Sequence, residues 1–169
     1  MIRKALKNDL ILIKNITEAC TQHLIKQEIF QWNQDYPSLA VFKKDIEEEA
    51  LYVYEKKNEI LGCIMFSKEK DPLYNQIEWL TQDHQNLYVH RLAVHPESQK
   101  QGIARKLMDF VERFTLQNDI ESIRLDTFSQ NPRNIRFYEA RGYKNLGDVY
   151  FVNQSKDPFH CFEKVLKRI

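Results

Sequence analysis

The chain has 169 residues, of which 43% are apolar and 29% charged, and its formal net charge is +1. That length fits a single domain, 1–169, with one sizeable core, and the composition is that of an ordinary soluble globular protein. A charge so close to zero excludes a globally basic nucleic-acid binder and a surface built for an acidic membrane, so any basic site must be local.

Cys20, Cys63 and Cys161 are the only cysteines and lie far apart. An odd number without a close pair argues against a disulfide framework or a metal cluster and fits a reducing compartment. Each lies in an apolar helix or strand pattern, as a buried inert thiol would. The start, Met1-Ile2-Arg3-Lys4-Ala5, is soon interrupted by Lys7 and Asp9 and lacks the apolar core of a signal peptide. No stretch reaches the ~18 apolar residues of a membrane helix. The expectation is a cytoplasmic protein with no membrane partner, no nucleic-acid partner and no metal.

Ile2–Ala5 reads as a first strand. Asn8 is placed to cap a helix whose stripe is Leu10, Ile13, Ile16, Cys20 and Leu24. Gln31 to Pro37 is aromatic and ends on proline, as an irregular connection does. Ser38 should cap a second helix carrying Leu39, Phe42 and Ile46. The period then changes: Leu51–Glu55 and Ile60–Ser67 read as strands about a Lys57-Asn58 turn. Ile77–Leu80 reads as a short strand, and Leu87–Val94 as a long one stopped at His95-Pro96. Gly102 precedes a helix with the apolar face Ile103, Leu107, Phe110, Val111 and Phe114. Ser122–Thr127 is the next strand. Pro132 opens a helix that Gly142 closes. Tyr143–Val152 and Phe159–Leu166 end the chain as strands. The order describes an α/β (α+β) domain with a single mixed, mostly antiparallel sheet flanked by helices.

The run Leu87 to Lys106 carries the clearest chemistry. A strand, a proline stop and the loop Gln99-Lys100-Gln101-Gly102-Ile103-Ala104 lead into a helix. A helix start offers free backbone N–H groups and the positive dipole end, which together hold phosphate oxygens. Gly102 lets backbone approach a ligand, Ala104 keeps the surface small, and Lys100, Arg105 and Lys106 add positive charge. The loop is neither a Walker loop nor a dinucleotide fingerprint. A second run, Leu125 to Tyr143, places Asn131 just ahead of a helix, Tyr138 within it and Gly142-Tyr143 at its end.

Together these runs resemble the GCN5-related N-acetyltransferases (GNAT). The family's Gln/Arg-x-x-Gly-x-Gly/Ala motif is matched by Gln99, Gly102 and Ala104. Arg91-Leu92-Ala93-Val94-His95-Pro96 is similar to the family's cofactor-splaying strand. Asn131, Tyr138, Glu139, Gly142 and Tyr143 resemble its asparagine, Tyr-Glu pair and closing glycine-aromatic. The likeness spans Leu87 to Tyr143 in order and spacing. Asn134 stands where the family pattern has a small residue.

The resemblance implies a GNAT-like fold and an N-acetyltransferase using acetyl-CoA, or another acyl-CoA, as co-substrate. The backbone of Leu92, Ala93 and Val94 would pair with the pantetheine arm. The N–H groups of Gln101, Gly102, Ile103, Ala104 and Arg105 would hold the pyrophosphate, with Gln99, Lys100 and Lys106 around it. Asn131 would contact the pantetheine. Tyr138, facing the sulfur, would give its proton to the leaving thiolate as general acid; a core aromatic is the alternative reading of that ring.

For the base, Glu78 and His90 are the named candidates, with His84 a further titratable group; desolvation of a neutral amine would also serve. Trp32, Tyr36 and Trp79 would form an aromatic wall for the acceptor, or close the core at one end, and Tyr150 is a further lining candidate. The acceptor is expected to be a small-molecule or peptide amine, and the chain a monomer or homodimer. A non-catalytic acyl-CoA-binding sensor is the alternative function.

Overall fold

The computed structural model describes Met1–Leu166. Among these residues the strands are β1 (Ile2–Lys4), β2 (Leu51–Lys56), β3 (Glu59–Ser67), β4 (Asn86–Val94), β5 (Ser122–Phe128), β6 (Lys144–Val149) and β7 (Phe159–Val165). The helices are α1 (Leu10–Ile25), α2 (Leu39–Glu47), α3 (Ile103–Gln117) and α4 (Pro132–Ala140). The strand order is β1-β2-β3-β4-β5-β7-β6. β1–β2, β2–β3, β5–β7 and β6–β7 pair antiparallel, and β4–β5 pair parallel. This is the mixed, mostly antiparallel sheet with helices that the order of elements predicts. The chain forms two compact units, Met1–Phe66 with His90–Val111, and Ser67–Val89 with Glu112 onward.

In the first unit the predicted stripe of α1 is inward-facing, with Ile13, Ile16 and Cys20 buried. They share a core with Phe42, Leu51 and Val53; each such side chain, fully buried, stabilises the fold by about 1.5–3 kcal/mol. The helix start differs from the sequence reading. Asp9, not Asn8, organises it: its carboxylate accepts the Leu6 N–H at 2.7 Å and pairs with Arg3 at 2.7 Å. Ser38 caps α2 as predicted, its Oγ accepting the Val41 N–H at 3.1 Å. Gln31 to Pro37 is irregular, closed by Asn33 Oδ1, which accepts the N–H groups of Asp35 and Tyr36. Ile103, Leu107 and Val111 of α3 are buried, and Phe110 packs on Tyr52 with ring centroids 5.1 Å apart.

In the second unit the expected strand at Ile77–Leu80 is absent, so Glu78 and Trp79 lie in irregular chain. Side chains satisfy this segment in place of a ladder. The Leu80 N–H donates to Glu163 at 2.5 Å, Thr81 Oγ1 donates to the same carboxylate, and Trp79 Nε1 donates to the Tyr74 carbonyl at 2.9 Å. Glu163 and Arg124 are both fully buried and pair at 3.1 Å. Arg124 also reaches Asp83 at 2.7 Å and the Thr81 carbonyl at 2.6 Å. A buried guanidinium needs such partners. The late strand is shorter than predicted, because the Phe151 carbonyl accepts the N–H groups of Gln154 and Ser155 and turns the chain. Cys20, Cys63 and Cys161 are buried and unbridged, and burial pushes the Cys63 thiol up to about 12, which leaves it inert.

Candidate functional site

The loop before α3 is built by short-range bonds. The Ser98 N–H reaches the His95 carbonyl at 2.8 Å, and the Gln99 N–H reaches the Pro96 carbonyl at 3.3 Å. Gln99 then turns back: its Nε2 donates to the Val94 carbonyl at 3.1 Å. The motif glutamine therefore ties the loop to the end of β4. Lys100 and Gly102 both take left-handed backbone, with φ of 62° and 77°. The first helical bond runs from the Lys106 N–H to the Gly102 carbonyl at 3.0 Å. The N–H groups of Gln101, Gly102, Ile103, Ala104 and Arg105 find no acceptor among the described residues. A Cβ added at Gly102 would meet nothing within 4 Å. The loop thus presents a row of N–H groups without protein acceptors at the positive end of a long helix, with open space beside Gly102. Lys100, Arg105 and Lys106 are exposed around it. Lys106 Nζ also lies 5.5 Å above the centre of the Tyr54 ring.

Upstream, Arg91 interrupts β4 with φ of 51°, a conformation that non-glycine residues adopt only when their surroundings enforce it. The enforcement is visible. Its guanidinium makes two 2.7 Å bonds to the Asp45 carboxylate and donates to the Tyr36 hydroxyl at 3.1 Å. Asp45 is only 2% exposed; burial raises its carboxyl pKa, and the Arg91 charge opposes the rise. The chain beyond Arg91 is held closely. Cys20 Sγ donates to the Val94 carbonyl at 3.2 Å, and a Cβ on Gly62 would sit 2.7 Å from the Ala93 carbonyl oxygen. Gly62 is therefore a glycine because β3 and β4 approach there. His90, just before the kink, is half-buried; burial first, then the Arg91 charge, lowers its pKa to about 3. It is a neutral imidazole at physiological pH.

In the second unit, Asn131 caps α4: its Oδ1 accepts the Asn134 N–H at 3.2 Å, and Pro132 takes the first helical position. Tyr138 is 5% exposed and packs between Phe137, Tyr143 and Phe162. No group hydrogen-bonds its hydroxyl among the described residues. Burial, then the charge of Asp126, pushes its pKa far above the ordinary tyrosine value. Gly142, with φ of 85°, ends the helix. The Asp126 carboxylate accepts the hydroxyl proton of the fully buried Tyr74.

The remaining predicted residues separate by environment. Glu78 and His84 are exposed. Trp32 is buried in the first unit's core. Trp79 stacks on Arg124, whose guanidinium carbon is 4.6 Å from the ring centre. Tyr150 is 54% exposed. The roles of Arg91, Asp45, Gly62, Tyr74 and Asp126 were not read from sequence. Only Gly62, a lone glycine within a strand pattern, carried a local signal. No group of side chains suited to holding a metal occurs among the described residues, and no described helix is long and apolar enough to cross a membrane.

Comparison with known proteins gives the chain's relatives. The chain is 25% identical over 120 residues to an uncharacterized N-acetyltransferase, YesJ, of Bacillus subtilis (strain 168), a match covering 70% of this chain and 63% of that protein. It is 28% identical over 120 residues to the S-(2-succino)cysteine N-acetyltransferase of the same organism, covering 67% of this chain and 66% of the relative. The match thus spans a little under two thirds of either relative's length. The crystal structure of a GNAT-family acetyltransferase from Streptococcus agalactiae 2603 superposes with a TM-score of 0.86 at 20% identity, over 99% of this chain and 96% of that one, which shows the shared fold. The family profile itself matches residues 17–143, and on that match the chain is a member of the acetyltransferase (GNAT) family.

Proposed function

We propose that this protein transfers an acetyl group from acetyl-CoA to the primary amine of a small molecule or peptide. The observation that carries the reading is the row of unengaged N–H groups from Gln101 to Arg105 behind Gly102. Open donors at a helix start favour a pyrophosphate, and Lys100, Arg105 and Lys106 complement its charge. The backbone of Leu92, Ala93 and Val94 takes the pantetheine arm, and Asn131 contributes a further contact to it. Family membership supports this use of acyl-CoA.

Tyr138 acts as general acid. Its raised pKa keeps the O–H protonated throughout the neutral range, so the proton is present when charge develops on sulfur. A thiol ordinarily titrates near 8.5, well below this phenol. The proton is therefore shared as the C–S bond breaks rather than given up beforehand. His90, neutral with a pKa of about 3, is a poor store for the amine's proton, and Glu78 remains solvated. Tyr150 offers an exposed ring for the acceptor, while Tyr36, Trp32 and Trp79 shape their surroundings from within. A relative named for an amino-acid derivative supports a small-molecule amine as the acceptor class. We further propose one domain over 1–169, working in the cytoplasm as monomer or homodimer.

The test is release of free thiol from acetyl-CoA across a panel of amines, amino acids and peptides, with the product identified by mass. One amine gaining one acetyl group supports the reading. Tight acetyl-CoA binding without thiol release on any amine supports the sensor function instead.

A further inference from the structure

Two buried thiols of the first unit bear on the stretch of β4 that follows the kink. Cys63 on β3 is fully buried and lies against the kink itself. Its Sγ donates to the Arg91 carbonyl at 3.7 Å, and its sulfur accepts the Ala93 N–H. Cys20 on α1, also buried, donates to the Val94 carbonyl at 3.2 Å. Gln99 Nε2 donates to that same carbonyl at 3.1 Å, so both lone pairs of the Val94 oxygen are engaged. Between these points the Ala93 carbonyl packs on Gly62, and the His95 N–H reaches the Leu61 carbonyl at 2.9 Å.

The left-handed turn at Arg91 brings the Arg91 carbonyl and the Ala93 N–H to one atom, the Cys63 sulfur. A thiol is a weak donor and a weak acceptor at once, so a single side chain serves both backbone groups. Buried backbone groups need such partners, and alanine at this position would supply neither. Burial pushes the Cys63 thiol up to about 12, so its S–H persists throughout the neutral range. Cys161 is the contrast. It is just as buried, lies in the second unit, and makes no hydrogen bond through its thiol among the described residues. Cys20 and Cys63 are thus inert as nucleophiles yet engaged as donors.

We propose that Cys63 and Cys20 are positioning residues for acetyl-CoA: their S–H groups fix the Arg91 and Val94 carbonyls and so set the course of Leu92, Ala93 and Val94, along which the pantetheine arm pairs. The assignment rests on the acetyl-transfer reading. Neither thiol meets the substrate, and neither forms a covalent bond. Neighbouring residues of a strand turn their N–H and C=O groups to opposite edges. Ala93 and His95 turn theirs to Cys63 and Leu61 on β3, so the polar groups of Leu92 and Val94 lie along the other edge. The thiols work from the protein side of this stretch and hold it at both ends, Cys63 at the kink and Cys20 where Gln99 ties the phosphate loop to the strand. Backbone pairing with a ligand depends on that placement, because hydrogen bonds weaken steeply with misalignment.

The experiment titrates acetyl-CoA calorimetrically into wild type, Cys63→Ala, Cys20→Ala, Cys20→Ser and the control Cys161→Ala. Steady-state rates with the amine found in the thiol-release panel give KM for each substrate. Cys63→Ala strips two backbone groups of their partner and should raise the acetyl-CoA Kd about tenfold. Cys20→Ala should raise it roughly threefold, since Gln99 still serves the Val94 carbonyl. Cys20→Ser keeps a donor in reach and should recover most of that loss. Cys161→Ala removes an equally buried thiol and should stay within about twofold of wild type. In Cys63→Ala the acetyl-CoA KM should rise with the Kd while the amine KM holds; a general loosening of the core would move both and would appear in Cys161→Ala as well. A Cys63→Ala Kd within about twofold of wild type, or a loss matched by Cys161→Ala, would overturn this assignment and leave the transferase reading standing. If Cys63→Ala does not fold, the Cys20 pair decides, and equal affinities of Cys20→Ala and Cys20→Ser would overturn it. A wild-type chain that does not bind acetyl-CoA would remove both readings.

Discussion

Arg91→Met offers the sharpest test of how the kink in β4 is held. The substitution keeps the length of the side chain and removes two 2.7 Å bonds to Asp45 and one 3.1 Å bond to Tyr36. Asp45, 2% exposed, then carries an uncompensated buried charge. Breaking such a pair costs about 3–5 kcal/mol, a large share of the roughly 5–15 kcal/mol that holds a domain folded. For a chain of this size the melting temperature should fall by about 6–20 °C, at ~2–4 °C per kcal/mol. Asp45→Asn in the Arg91→Met background should recover at least about 1 kcal/mol, because the stranded charge is gone. The pH dependence has a fixed sign. The carboxyl pKa of Asp45 is already raised by burial and rises further without Arg91. A raised folded pKa gives stability that is present at low pH and lost as pH rises through it. The deficit of Arg91→Met relative to wild type should therefore shrink as the pH is lowered. Thermal and urea unfolding measure all three quantities. A loss below about 1 kcal/mol, or a deficit that grows on acidification, would refute the reasoning.

Further outcomes follow from the same structure. Gly62→Ala places a Cβ 2.7 Å from the Ala93 carbonyl oxygen, and overpacking of this kind costs about 1–3 kcal/mol; the acetyl-CoA KM should rise with it, and an unchanged KM and melting temperature would show that the strands yield freely. Tyr138→Phe should reduce kcat by ~10²-fold or more while calorimetric affinity for acetyl-CoA stays nearly constant; an unaltered rate would remove the hydroxyl from the reaction. His90 stays neutral down to about pH 3 in the fold, so it lowers stability as pH falls below about 6.5, by at most ~1.4 kcal/mol per pH unit. His90→Gln should flatten the stability slope between about pH 6 and pH 4; an unchanged slope would show that the fold does not hold the imidazole neutral.

Much of the scaffold was legible because it follows local rules. The stripes of α1 and α3, the Ser38 cap, Pro132 at a helix start and Gly142 at its end all depend on residues within a turn or two of one another. The loop Gln99–Ala104 was legible for the same reason, since a left-handed glycine before a helix exposes donors wherever it occurs. What sequence did not reveal depends on partners distant in the chain. Arg91 adopts its φ because Asp45 and Tyr36 hold it. Ile77–Leu80 has the apolar pattern of a strand, but Glu163 accepts the Leu80 N–H and the Tyr74 carbonyl accepts those of Ile77 and the Trp79 indole. Asp126 lies within the strand read at Ser122–Thr127, and its bond from the Tyr74 hydroxyl comes from 52 residues away.

The proposed acetyl-CoA site stands on the N–H groups of Gln101 to Arg105 around Gly102. Calorimetric titration of acetyl-CoA into wild type and Gly102→Glu tests it most directly. Glutamate would force a side chain onto a backbone with φ of 77° and set an anion before the donors meant for phosphate. Wild type should bind saturably, and a Gly102→Glu variant that remains folded should show no measurable binding. Equal affinity in the two proteins would contradict it.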